Sequence, residues 1–149
     1  MVALLEPGLM KRGVKVALGV VVVLVVMPLV RPTRENPAVT GDLVTPPDVK
    51  SVLKKACYDC HSNETVWPWY SNVAPVSWLV ARDVNEGRKH LNFSVWESYE
   101  QKRKDKKLEE IGEEVSEGEM PMAIYVPLHP EAKLSDAEKK LLVDWAKQR

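Results

Sequence analysis

The run Cys57-Tyr58-Asp59-Cys60-His61 constrains this chain more than any other stretch, because it holds both cysteines and one of the three histidines. Residues three apart on a helical turn face the same way, so the two thiols stand side by side and an imidazole comes directly after. Two thiols so placed can add to the two vinyl groups along one haem edge while the histidine reaches the iron, and the spacing is that of c-type haem attachment. The expected cofactor is one covalent haem c, joined through Cys57 and Cys60, with His61 as an iron ligand. Tyr58 and Asp59 are expected to point elsewhere.

Three other readings of a cysteine pair stand beside this one. Two cysteines in an exported domain can form a disulfide. A thioredoxin-like redox pair would come after a strand in a βαβ setting, and no strand pattern precedes Cys57. A zinc site would have to recruit His90 and His129 from far along the chain, because there is no second cysteine pair.

Export is legible upstream. Lys11, Arg12 and Lys15 precede an apolar run from Val16 to Val30, and Arg31 closes it. Basic residues before such a run keep the N-terminus cytoplasmic and send the chain beyond the run across the membrane. Residues 1–31 therefore read as a signal anchor or transmembrane segment. No small-residue cleavage site comes after it, so the anchor is expected to stay. The expected location is the bacterial inner membrane, single pass, with the haem domain on the periplasmic side. Residues 32–46 carry Pro32, Pro37, Pro46 and Gly41 and read as a Pro-rich tether. The haem-binding domain is then 47–149.

Lysine plus arginine and aspartate plus glutamate number 21 each, so the chain has no net charge and nothing marks it as a nucleic-acid binder. Lys102, Arg103, Lys104, Lys106 and Lys107 run into Glu109, Glu110, Glu113 and Glu114. Such a sequence is a solvated helix or a docking patch for a redox partner protein.

The fold class is all-α, a cytochrome c-like helical domain wrapped around one haem. Thr45 with two prolines after it predicts a helix start that runs into Cys57. Ser94 with Glu97 predicts a capping box opening a long polar helix to Val115, stopped by Gly118. Ser135 with Glu138 predicts a third start, with Leu134, Ala137, Leu141, Leu142 and Trp145 on one face. Residues 63–77 read as loop and 76–86 as a short helix.

From about Asn36 onward the chain resembles the haem-binding domain family of small bacterial single-haem c-type cytochromes. The resemblance lies in Ala56 to Thr65 around the cysteines, in Trp67-Pro68-Trp69-Tyr70-Ser71-Asn72-Val73-Ala74-Pro75-Val76-Ser77-Trp78, and in Gly118-Glu119-Met120-Pro121. Asp83 to Arg88, Leu91 to Ser94 and His129-Pro130-Glu131-Ala132 extend it. The family commonly reads Met-Pro-Pro where this chain has Met120-Pro121-Met122.

The resemblance implies a membrane-tethered electron carrier rather than an enzyme, with no catalytic residues. Such a carrier holds its iron between two strong axial ligands, and a methionine opposite histidine raises the potential. Met120 is the expected second metal ligand, with Met122, His90 and His129 as the other candidates. Trp67, Trp69 and Trp78 are candidate haem contacts, and Arg82 and Arg88 could pair with its propionates. Two other functions stay open. A haem-based sensor or small-ligand binder would have a labile distal ligand, and a peroxidase would need acid-base groups such as His90 or Glu119 above an open iron.

Overall fold

The structure, a computed structural model, describes residues 7–148, with side chains from residue 11 on. Among the described residues all regular structure is helical. They form two compact bodies, one of residues up to Thr33 with Pro68–Ala81, the other of Arg34–Trp67 with Arg82 to the C-terminus.

In the first body, helix α1 (Pro7–Val26) continues into a 3₁₀ turn, Met27–Leu29. It is long and apolar enough to cross a membrane over Lys11–Leu29. From Val14 to Val26 its valines and leucines are exposed. The Trp78 indole donates to the Val30 carbonyl at 2.7 Å. A 3₁₀ turn at Trp69–Asn72 precedes helix α4 (Val76–His90), whose later turns belong to the second body.

The second body is built from α2 (Pro47–Ala56), the single turn α3 (Tyr58–His61), the end of α4, α5 (Gln101–Glu117) and α6 (Asp136–Ala146). In α2, Val49, Val52 and Leu53 are buried at helical spacing, and Lys54 and Lys55 complement the negative end of its dipole. In α5 only Ile111 and Val115 are fully buried, one turn apart. Most of the rest is charged, and with the partly buried Leu108 packed beside those two this long helix owes its place to a narrow stripe. Leu53 and Leu142 have no exposure, and burial of each contributes roughly 1.5–3 kcal/mol. α5 and α6 pack closely at Gly112, where an added Cβ would make an ordinary 3.5 Å contact with that of Ala146.

The Ser135–Glu138 capping box forms as expected. In α6 Leu142 is buried and Leu141 and Trp145 are partly so, while Ala137 is exposed. Gly118 ends α5 in the left-handed region, φ 81°, where a side chain would be strained.

Four expectations are corrected. The segment 32–46 is not a free tether beyond Arg34: Thr40 and Gly41 donate to the Ser94 carbonyl, Leu43 donates to Phe93, and Leu43 is 5 % exposed. Thr45 does not cap α2, which has Pro46 at its N-cap and Pro47 at its first position, and its buried hydroxyl has no partner. Ser94 opens no long helix; it is buried in a 3₁₀ stretch, Phe93–Ser98, that Asn92 caps, and its hydroxyl serves Asn63 instead. α5 begins only at Gln101. α4 continues to His90, one turn beyond the expected end at Glu86.

Candidate functional site

The cysteine turn is fastened to the core by the two residues it does not need for a ligand. Tyr58 is 3 % exposed, stacks on Phe93 with ring centroids 5.0 Å apart, and donates to Asp42 at 2.9 Å. The Lys50 ammonium, itself paired with Asp42, meets the same phenol oxygen. Burial first, then the Asp42 carboxylate, hold the Tyr58 hydroxyl well above its ordinary range, so it stays a donor. Asp59 accepts from the Val66 N–H at 2.9 Å and from the Tyr125 hydroxyl at 2.7 Å.

Behind the turn lies a buried polar loop. Asn63 donates through its backbone to Ser94 Oγ and through its side chain to the Ala38 carbonyl, and it accepts from Asn92. The Thr65 hydroxyl donates to the Asp59 carbonyl at 2.7 Å. Every polar atom so used escapes the penalty of burial without a partner.

His61 is oriented from the opposite side. Its Nδ1 lies 3.0 Å from the Gly87 carbonyl and 3.2 Å from that of Leu91, at the C-terminal end of α4. Carbonyls only accept, so Nδ1 carries the proton and Nε2 keeps its lone pair. Burial pushes the His61 pKa down, against the raising effect of the two carbonyl bonds, with His90 and Lys107 adding to the depression. A neutral imidazole with one fixed tautomer is the form that binds iron.

Cys57, Cys60 and His61 line a cavity of about 380 Å³ together with Ile111 and Val115 of α5 and with Met120, Pro121, Met122 and Tyr125 beyond it. The wall is mostly apolar and the volume is that of a cofactor site. Asp59, Asp83, Glu86, Lys107, Glu110 and Glu114 supply its charged part and His90 a polar one, so Asp59 does not point away from the site as expected. The two thiols are free and partly buried. Burial, then the neighbouring Cys60, pushes the Cys57 thiol up to about 12; burial, then Asp59 and Asp83, pushes Cys60 up to about 11. Neither is the depressed, exposed thiol of a disulfide oxidoreductase.

The structure thus brings the expected attachment residues and both candidate methionines to one cavity, and His90 with them. His129 lies outside the lining, stacked on Tyr125 at 4.0 Å and beside Glu131. Arg88 is not a wall residue: its guanidinium donates to the Ser62 and Glu35 carbonyls, Asn36 Oδ1 and Thr65 Oγ1, all between 2.7 and 2.9 Å. Neither Trp67 nor Arg82 lines the cavity. Trp69, 77 % exposed, and Trp78 belong to the other body. Lys107, with its side chain 14 % exposed and paired with Glu110, is the cation in the wall that sequence reasoning passed over.

Gly87 was also missed. It sits inside α4 where a Cβ would lie 2.5 Å from the Cys60 carbonyl oxygen, so helix and cysteine turn pack backbone to backbone. The helix expected at 76–86 stops one residue short of it, so a glycine directly after a helical pattern was the available signal. Among the described residues, no cluster of three His, Cys, Asp or Glu could hold a metal ion, so the zinc alternative has no ligand set.

Two thiols and a neutral imidazole on one stretch of wall, methionine thioethers on another and apolar surface between them fit a haem, and the fold and site together define a helical haem protein. The haem-binding domain family model matches residues 20–148, and the chain belongs to that family. Among curated proteins and solved structures, none matches it.

Proposed function

We propose that this is a membrane-tethered single-haem c-type cytochrome that carries single electrons on the periplasmic side and is not an enzyme. The observation that carries the reading is the pinning of His61 by the Gly87 and Leu91 carbonyls beside two cavity-lining thiols. Haem c supplies an iron that takes up and gives back one electron.

The chain's own part is positional. Cys57 and Cys60 would hold the group covalently, His61 Nε2 would meet the iron from one side, and Met120 or Met122 would supply a sulfur ligand. Ile111, Val115 and Leu91 would exclude water. An iron with both axial positions filled reorganises little and offers small molecules no site. α1 would hold the domain at the membrane, and the charged rim would meet redox partner proteins.

Two measurements test this on the full chain in membranes. Haem that stays with the polypeptide on a denaturing gel, and is lost in Cys57→Ala/Cys60→Ala, is expected for covalent attachment. The ferric spectrum should show the weak far-red band of sulfur-bound iron, lost in Met120→Ala and kept in Met122→Ala. A high-spin ferric spectrum with no such band would favour the sensor reading instead.

A further inference from the structure

The segment after α5 carries both methionines, and its mooring is specific. At its start, the Glu119 and Met120 N–H groups donate to the Glu114 carbonyl at 3.0 and 3.2 Å. Further on, the Tyr125 N–H donates to the Met122 carbonyl at 2.9 Å, so the tyrosine and the second methionine move as one turn. The Tyr125 hydroxyl then reaches across 66 residues to Asp59, between the two cysteines, at 2.7 Å. The other Asp59 oxygen is held by the Val66 N–H, which fixes the carboxylate's direction. His129 stacks on the phenol ring.

We propose that Tyr125 and Asp59 form a latch that holds the methionine segment against the cavity, making Tyr125 a positioning residue that sets how readily the sulfur ligand leaves the iron. The inference rests on the electron-carrier reading. A hydroxyl bound to a carboxylate is a charge-assisted bond between two walls of one cavity, and it ties a side chain placed between the two thiols to the ligand-bearing segment. Loss of the bond frees the segment to swing without emptying the core, because Tyr125 is only partly buried.

The test uses the full-length, haem-loaded protein and carbon monoxide as the probe. Tyr125→Phe and Asp59→Ala are expected to raise the rate of carbon monoxide binding to the reduced protein roughly tenfold and to weaken the far-red sulfur band, as loss of one charge-assisted bond should. Asp59→Asn, which keeps an acceptor oxygen, should recover part of the wild-type rate. The double variant should go no further than either single one. A wild-type sulfur band with unchanged rates in both single variants would overturn the latch. Should the wild type itself lack the band, the electron-carrier reading fails, and amide exchange in 118–129 decides the latch separately: faster exchange in Tyr125→Phe upholds it, equal exchange overturns it.

Discussion

The Cα of Gly87 lies so close to Cys60 that an added Cβ would sit 2.5 Å from its carbonyl oxygen and 3.2 Å from its Cβ. Since the carbonyl of the same glycine accepts from His61 Nδ1, one residue sets both the approach of α4 to the cysteine turn and the direction of the imidazole. Gly87→Ala must push backbone from backbone. We expect a loss of about 1–3 kcal/mol from overpacking and a reduced haem-to-protein ratio, read from absorbance of the purified full chain. A normal ratio and melting temperature would show that the helix can retreat freely.

Arg88 distinguishes a structural clamp from a propionate partner. Its guanidinium ties Ser62 and Thr65 to Glu35 and Asn36. Lysine cannot reproduce that fork, so Arg88→Lys should cost about 2 kcal/mol in denaturant unfolding. The haem midpoint potential should stay unchanged. A shifted potential with unchanged stability would place the side chain at the haem instead.

The boundary of the folded body can be cut directly. A chain beginning at Arg34, exported behind an unrelated leader, loses the membrane helix and keeps Asn36, Leu43 and the backbone bonded to Ser94 and Phe93. One beginning at Pro46 loses them all. Uncovering the contacts of Leu43 alone should cost roughly 1.5–3 kcal/mol, so the shorter chain should melt well below the longer. Equal melting temperatures would restore 34–46 to the status of a linker.

Acid sensitivity arises at Glu138. The Lys55 ammonium at 2.5 Å, then the Ser135 backbone and hydroxyl, pull its carboxyl from the ordinary 4.5 to about 2. The folded-state value is depressed, so its stabilisation is complete above about 4.5 and fades as pH falls toward 2. With a quarter of the side chain in water, the pair and cap together contribute about 1 kcal/mol. Glu138→Gln, which can keep the cap but not the Lys55 pair, should lower stability at pH 7 by part of that amount and flatten its decline between pH 4.5 and 2. A parallel decline in both proteins would show that other carboxylates govern the acid limb.

The parts legible in the sequence were those written in local code. Spacing alone located the cysteine turn, a capping pair located α6, and a glycine located the end of α5. Elsewhere the same code misled. Ser94 and Glu97 have the right spacing for a capping box, but Ser94 is drawn into the core to satisfy Asn63, a partner 31 residues away. Prolines around 32–46 suggested a tether because composition does not reveal that Phe93 and Ser94 offer carbonyls to it. Arg88 and Arg82 were equivalent as text; only the fold shows what Arg88 holds. The Tyr125 to Asp59 bond likewise has no local signature.

The two carbonyls at the end of α4 compete for a single imidazole proton. Those bonds at Nδ1 leave more electron density on Nε2, which would make His61 a stronger donor to a bound iron. In the proposed electron carrier a stronger histidine donor would favour the oxidised metal, and a methionine thioether as second ligand would favour the reduced one. The electron carried by such a site would thus be held on a balance, with helix α4 weighing on one arm and the methionine segment on the other.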